Sequence, residues 1–136
     1  MGVTAMIFLR PSSSTHTLHA TLGGEALVLE VADTDDLYKK GLSGHTPLVS
    51  NEGMLFVFPV DTKSGFWMKE MLFPIDIIWF DANRQIVDVW ENASPNSYPE
   101  IRTPRAPAQY VVELSSGFFA KHHLRSGDTI QLPTLQ

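Results

Sequence analysis

The sequence predicts a mainly β protein, a compact β-barrel or β-sandwich of about seven or eight strands with two short helices. Three observations predict this class: apolar residues alternate at a period of two, glycines and prolines separate the apolar runs, and helix signals are confined to two short stretches. The 136 residues are 43% hydrophobic, enough for one domain with its own core. We expect a flexible segment over residues 1–17 and a single β-rich domain over residues 18–136.

The first half of the domain predicts a hairpin, a helix and two strands. Leu18–Thr21 and Ala26–Val31 flank a pair of glycines, as the two strands of a hairpin do. Asp33–Leu42 carries acidic residues in its first turn and lysines in its last, which matches the helix dipole. Alternating apolar residues then predict strands at Met54–Phe58 and Gly65–Met68.

The second half contains the clearest hairpin of the sequence. Ile75–Phe80 and Gln85–Trp90 are apolar runs separated by a short polar turn. Four prolines within residues 91–108 exclude a central strand or a helix there. The remaining elements are a strand at Tyr110–Leu114, a short helix capped by Ser115 or Ser116 and ending at His123, and a strand at Thr129–Leu132.

Composition excludes several classes of function. The formal net charge of −5 does not favour binding to nucleic acid, and no apolar run approaches the length of a membrane span. The chain has no cysteine, so disulfides, thiolate catalysis and sulfur-ligated metals are excluded. The five histidines do not follow a known metal-ligand spacing, and we expect neither a metal site nor a cofactor. The N-terminus does not form a clear signal peptide.

Several blocks of the sequence resemble the family called domain of unknown function 192 (DUF192, also UPF0127). The match covers about residues 25–132. Its blocks are Gly41–Leu48, Glu52–Phe58, Phe66–Lys69, Pro74–Ile78, Val87–Asn92, Ala108–Leu114, Gly117 and Gly127–Asp128. The resemblance implies a compact β-barrel or sandwich, a prokaryotic origin and frequent export across a membrane, which favours an extracytoplasmic location. It implies no established activity.

The first candidate site is the apolar stretch Phe66–Pro74. A half-buried strand explains two or three of its large side chains, and the others would lie at the surface or line a ligand cavity. Trp67 and Lys69 would then form an aromatic and cationic mouth. A curved strand that is buried on both faces would explain the same residues without a cavity.

The second candidate is Asp76, a carboxylate within a strongly apolar run. A buried charge is costly unless it is paired, and Lys69 is the partner we predict. The pair either fixes a turn or tunes Asp76 as a general base. The other carboxylates within or beside strands are Glu52, Asp88, Glu91 and Glu113, of which Glu113 is expected to be half-buried.

The proline-rich loop at residues 91–108 contains Tyr98, Arg102 and Arg105. It is interpreted either as a binding lid over one end of a barrel or as a stiff crossover that covers a sheet edge. His45 is a further candidate because the related family usually has a longer residue there.

Three functions remain open at this point. The first is a non-enzymatic module that binds a small polar or anionic ligand, such as a saccharide, in a cleft lined by aromatic residues and lysine. The second is a hydrolase or lyase that uses Asp76 with another carboxylate. The third is a protein-interaction domain with an apolar patch. The candidate ligand-binding residues are His45, Glu52, Trp67, Lys69, Asp76, Tyr98, Arg102 and Arg105.

Overall fold

Six strands and two short α-helices follow one another in the computed structural model, which describes residues 16–135. Their bounds are β1 Thr17–Leu22, β2 Glu25–Ala32, α1 Asp35–Lys40, β3 Glu52–Thr62, β4 Ile75–Phe80, β5 Ile86–Ala93, β6 Ala108–Ser115 and α2 Phe118–Lys121. The predicted mainly β class with two short helices is confirmed. Residues 1–15, most of the expected flexible segment, lie outside the described residues, and β1 already begins at Thr17.

The strands form one sheet in the order β1-β2-β3-β6-β4-β5. Of the paired strands within residues 16–135, only β2 and β3 are parallel, and α1 lies in the connection between them. This is expected because parallel neighbours need a long crossover, usually helical, whereas antiparallel neighbours can be joined by tight turns. The two predicted hairpins, β1–β2 and β4–β5, are both confirmed.

The sheet has two edges, β1 and β5, and the C-terminal segment contacts both. Gln131 exchanges two backbone hydrogen bonds with Thr21 on the β1 side, and Thr129 forms a bridge with Gln85 beside β5. The strand predicted at Thr129–Leu132 is therefore present as two isolated bridges. The C-terminal segment thus connects the two edges of the open sheet, an arrangement that resembles a barrel.

Each face of the sheet carries its own apolar core. We call one the α1 face, which includes Phe56, Trp79 and Val111 and against which Leu37 and Tyr38 of α1 pack. The α2 face lies opposite and carries a cluster that includes Leu29, Leu55, Ile78, Val112 and, from α2, Phe118. All six residues of β4 are buried because both of its faces are covered.

The first helix is shorter than the predicted Asp33–Leu42, but it has the predicted acidic first turn and basic last turn. The Thr34 side chain accepts a hydrogen bond from the backbone N–H of Leu37 and so caps the helix. At the other end Gly41 has a φ of 47° and its N–H bonds to the Leu37 carbonyl, which ends the helix.

The second helix is confirmed, but it ends at Lys121 instead of His123, and the prediction that Ser115 or Ser116 caps it is wrong. Gly117 precedes the helix in a left-handed conformation and has no side-chain cap. Instead the N–H groups of Gly117 and Phe119 donate to the carboxylate of Asp76, a residue of β4. A group distant in the sequence therefore supplies the acceptors that a local serine was expected to provide.

The strand predicted at Gly65–Met68 is also wrong. Only Phe66 pairs, through two backbone hydrogen bonds with Arg102, and the segment 63–74 is otherwise irregular. It buries Met68, Met71 and Phe73 on the α1 face and leaves other large side chains at the surface. The run of apolar residues thus covers the sheet without joining it.

Candidate functional site

A cavity of about 380 Å³ lies over the α1 face, between α1 and the segment 64–71. The sheet side of the cavity is formed by residues of β3 and β6, and the end of α1 forms the opposite side. Its volume falls within the range of small-molecule sites in proteins. The cavity exists because the irregular segment arches over the sheet instead of pairing with it.

Aromatic side chains form most of the cavity walls. Tyr38 and Phe58 pack with ring centroids 4.7 Å apart, and Phe56 and Phe66 meet edge to face at 4.9 Å. Trp67 closes the wall at the segment 64–71. Rings held in place by such contacts form a rigid apolar surface, which suits stacking of a ligand better than mobile aliphatic chains would.

Glu113 forms part of the cavity lining and is the group with the most unusual environment. It lies in β6 between Met54 of β3 and Ile77 of β4, and is only 5% exposed. Its Oε2 has no hydrogen-bond partner among residues 16–135. Burial raises the pKa of the Glu113 carboxyl to about 8, so the neutral acid predominates at neutral pH.

The backbone of α1 approaches this carboxyl closely at Gly41. A methyl group built on Gly41 would lie 3.9 Å from Glu113 Oε2 and 3.4 Å from the Phe56 ring. With a φ of 47°, the position also favours glycine, which has no Cβ to strain. Gly41 therefore ends the helix, and a Cβ at this position would be in ordinary van der Waals contact with Phe56 and the Glu113 carboxyl.

The charged residues that line the cavity beside Glu113 come from α1. Asp35, Lys39 and Lys40 lie along the helix side of the opening. Tyr38, between them, donates its hydroxyl to the Val57 carbonyl. Burial and the nearby carboxylates of Asp33 and Asp35 raise the pKa of Tyr38, so its hydroxyl stays protonated as a donor.

Asp76 lies on the other face of the sheet and is fully buried. Its Oδ1 accepts from the N–H groups of Asn92 and Gly117 at 2.8 and 3.1 Å, and its Oδ2 accepts from Phe119 at 2.9 Å. The predicted ion pair with Lys69 does not form. Both carboxylate oxygens of Asp76 are occupied by backbone donors, which tie β4 to the end of β5 and to α2.

Trp67 is the one predicted site residue that lines the cavity. Its side chain is 43% exposed, and its ring lies 5.4 Å from that of Tyr98. The Lys69 ammonium stands 5.4 Å from the centroid of the Trp67 ring, a cation–π distance. Lys69 and Tyr98 thus extend from Trp67 along the surface and do not line the cavity itself.

The two arginines of the proline-rich loop contact β5 instead of the cavity. Arg102 lies 4.8 Å over the Trp90 ring and 3.5 Å from Glu100. Arg105 makes a 3.0 Å ion pair with Asp88. These contacts hold the loop along β5, which agrees with the interpretation of the loop as a crossover.

His45 and Glu52, the remaining predicted site residues, lie outside the cavity lining. His45 follows α1, and its backbone N–H bonds to the Leu42 carbonyl. Glu52 begins β3, where its Oε1 accepts from the N–H of Val49. Both contacts lie within local turns of the chain.

The sequence pattern did not indicate Glu113 as a cavity residue. Glu113 was expected to be half-buried and was not among the candidate binding residues. The available signal was its place within Tyr110–Leu114, a run whose neighbours on both sides are strongly apolar. That signal applies equally to Asp76, and only the fold shows that the two carboxylates face opposite sides.

Two further classes of feature are absent from the part of the chain that the structure describes. Residues 16–135 contain no group of three or more histidine, aspartate or glutamate side chains arranged to hold a metal ion. None of the helices within those residues has the length and apolar character needed to cross a membrane.

Comparison with known proteins decides the family. The model of the family DUF192, described as "Uncharacterized ACR, COG1430", matches residues 18–132. The chain belongs to the DUF192 family. The match includes every strand and both helices apart from the first residue of β1, so the cavity lies within a DUF192 domain.

Two curated relatives, both from Thermococcus species, are named only as UPF0127 proteins. One from Thermococcus gammatolerans is 33% identical over 106 residues, covering 75% of this chain and 64% of the relative. One from Thermococcus kodakarensis is 33% identical over 82 residues, covering 59% of this chain and 50% of the relative. The chain thus aligns with half to two thirds of the length of these two relatives.

Two solved structures have the same fold. A protein of unknown function from Novosphingobium aromaticivorans aligns with a TM-score of 0.78 and 28% identity, covering 89% of each chain. A protein of Sinorhizobium meliloti, titled as a candidate transcription regulator, aligns with a TM-score of 0.80 and 26% identity, covering 87% of this chain and 95% of its own.

Proposed function

We propose that this protein is a non-enzymatic module that binds a small polar organic molecule in the cavity over the α1 face. The observation that carries the proposal is the buried carboxyl of Glu113, which lines an aromatic cavity and has no partner for Oε2 among the described residues. An unsatisfied buried polar atom costs about 1–3 kcal/mol, and a ligand that bonds to it would recover that cost.

The cavity offers two kinds of contact to such a ligand. The aromatic walls stack on an apolar face, while Glu113 and the groups on α1 bind polar substituents. A saccharide ring combines an apolar face with hydroxyls and fits this description. For an anionic ligand, Lys39 and Lys40 at the opening replace the cations Lys69, Arg102 and Arg105 expected from the sequence.

Catalysis by paired carboxylates receives less support. Asp76 and Glu113 lie on neighbouring strands but face opposite sides of the sheet, so they do not converge on one substrate. The oxygens of Asp76 are also committed to three backbone N–H groups. A general acid–base pair needs two titratable groups within reach of the same bond.

Protein interaction and regulation of transcription both lack an observation that favours them. Trp67 and Tyr98 form an exposed aromatic pair, but nothing in the structure shows what would cover it. The description of the Sinorhizobium meliloti protein is not carried over to this chain, because a net charge of −5 opposes association with a polyanion.

The test is a thermal-shift screen of sugars, organic acids and organic ammonium salts, followed by calorimetric titration of each hit. A ligand at a hundred times its Kd stabilises the fold by about 2.7 kcal/mol, which raises the Tm by several degrees. Trp67→Ala should weaken a cavity ligand about tenfold, because it removes one wall. Leu72→Ala, at an exposed residue of the irregular segment 63–74 that does not line the cavity, is the matched control and should stay within about twofold. A hit that both variants bind as well as the wild type would contradict the proposal, as would the absence of any hit.

A further inference from the structure

The chemistry of the ligand can be specified further from the surroundings of Glu113. Five aromatic side chains line the same cavity as this carboxyl: Tyr38, Phe56, Phe58, Phe66 and Trp67. The faces of aromatic rings attract cations, and a carboxylate pairs with one. The cavity therefore combines the two groups by which proteins recognise organic cations.

No cation within residues 16–135 pairs with the Glu113 carboxyl. Lys39 and Lys40 are exposed on α1, and neither lies within 4.0 Å of the Glu113 carboxyl. The other titratable groups of α1 in the lining are Asp35 and Tyr38. From β4, Asp76 belongs to the opposite face, and the lining residues of β3 and of the segment 64–71 are uncharged at neutral pH.

We propose that the ligand carries an ammonium nitrogen, which lies against the Glu113 carboxylate and among the aromatic rings of the cavity. This inference rests on the proposed binding function and names the class of molecule that is bound. Lys39 and Lys40 lie at the opening of the cavity. A ligand that places its ammonium group beside Glu113 and a hydroxyl or anionic group beside these lysines would match the charges of both.

Binding of an ammonium ion is coupled to a proton. With a pKa of about 8, Glu113 is mostly the neutral acid at neutral pH and must ionise to pair with the cation. The O–H bond of the carboxyl breaks, the proton goes to solvent and buffer, and the carboxylate keeps the electron pair. A neutral hydroxyl ligand can instead bond to the protonated acid and releases no proton.

The experiment compares choline with 3,3-dimethylbutan-1-ol, in which carbon replaces the charged nitrogen without a change in shape. Choline does not titrate, so any pH dependence of its binding reports the protein. We expect choline to bind more tightly than the alcohol, with an apparent association constant that rises about tenfold per pH unit below about pH 8. Calorimetry at neutral pH in buffers of different ionisation enthalpy should show release of about 0.9 proton per choline.

Two variants locate the effect. Glu113→Gln keeps the shape of the side chain but cannot ionise, and it should lose both the preference for choline and the proton release. Glu91→Gln changes an exposed carboxyl of β5 outside the cavity, and choline should bind it as it binds the wild type.

The outcomes separate this inference from the proposed function. If choline binds no better than the alcohol, or binds without releasing a proton, the ammonium assignment is overturned while a cavity ligand can still be found in the screen. If choline does not bind at millimolar concentration and the screen yields a neutral or anionic ligand sensitive to Trp67→Ala, the assignment is likewise overturned and the binding function stands. If neither probe binds and the screen is empty, both proposals fall.

Discussion

Asp76 and Glu113 are buried carboxyl groups on neighbouring strands, yet their surroundings are opposite. Asp76 accepts hydrogen bonds from three backbone N–H groups and lies on the α2 face. Glu113 lies on the α1 face beside a cavity, and its Oε2 has no hydrogen-bond partner among residues 16–135. Asp76 of β4 pairs with Leu114 of β6, and the next residue of β4, Ile77, pairs with Glu113. Successive residues of a strand face opposite sides of the sheet, so these adjacent pairs place the two carboxyl groups on opposite faces.

The difference shows how a fold can use the same chemical group in two ways. A carboxylate surrounded by donors is held in place and holds other segments in turn, which is a structural role. A carboxyl without donors is costly to ionise and stays available for a partner from outside. Burial alone therefore does not distinguish the two carboxyl groups, whereas the presence or absence of hydrogen-bond donors does.

The largest expected effect comes from removing the acceptor of the satisfied site. Asp76→Ala leaves three part-buried N–H groups without their acceptor, and we expect the free energy of unfolding to fall by about 3–5 kcal/mol. Urea denaturation at neutral pH measures this loss. Asp128→Ala is the control, because Asp128 also accepts a backbone N–H, from Arg125, but is exposed and should cost less than about 1 kcal/mol. Equal losses in the two variants would remove the distinction between the sites.

The unsatisfied site should show itself in the pH dependence of stability. Folding raises the pKa of Glu113 from 4.5 to about 8, so its contribution to stability is fully present below pH 4.5 and is lost as the pH rises towards 8. Each pH unit in that window costs up to about 1.4 kcal/mol. Glu113→Gln cannot ionise at this position. Its free energy of unfolding relative to that of the wild type should therefore rise by about 2–3 kcal/mol between about pH 5 and pH 7.

Urea denaturation across this pH range tests the comparison, with Glu91→Gln as a control that should follow the wild type. Parallel curves for the wild type and Glu113→Gln would mean that the Glu113 carboxyl ionises in the folded protein as easily as in the unfolded chain. The contrast with Asp76 would then be lost.

Asp88 provides an intermediate case with a smaller effect. Burial alone would raise its pKa, but hydrogen bonds from the Arg105 side chain and from the N–H groups of Val89 and Arg105 hold the pKa below its usual value. Its contribution to stability is therefore present above the usual pKa and is lost as the pH falls. We expect Arg105→Ala to raise the pKa of Asp88 and to cost no more than about 1 kcal/mol, since Arg105 is exposed.

An NMR titration of the Asp88 carboxyl carbon measures that change. Arg102→Ala removes the other arginine of the loop, which contacts Glu100 and Trp90, and should leave the Asp88 titration unmoved. A pKa of Asp88 that stays low without the Arg105 side chain would show that backbone N–H groups alone stabilise the carboxylate.

Features that depend on neighbours along the chain could be predicted from the sequence. The two hairpins, the helix α1 with its charged ends and the mainly β class all follow from apolar period, turn residues and helix termini, which are local properties. The family blocks were also readable in the sequence, and the family match confirms them. Local patterns gave wrong predictions where a segment is bonded to residues distant in the sequence. Examples are the segment Gly65–Met68 and the cap of α2.

The residues that line the cavity are set by contacts between distant segments of the folded chain. The donors to Asp76 lie 16, 41 and 43 residues away, and the cavity brings Glu113 together with α1 and the segment 64–71. A period of two shows that alternate residues share a face, but not which face a cavity opens on or which donors lie there. Those facts depend on strand order and register, because contacts between distant segments alone determine whether a buried carboxyl is satisfied.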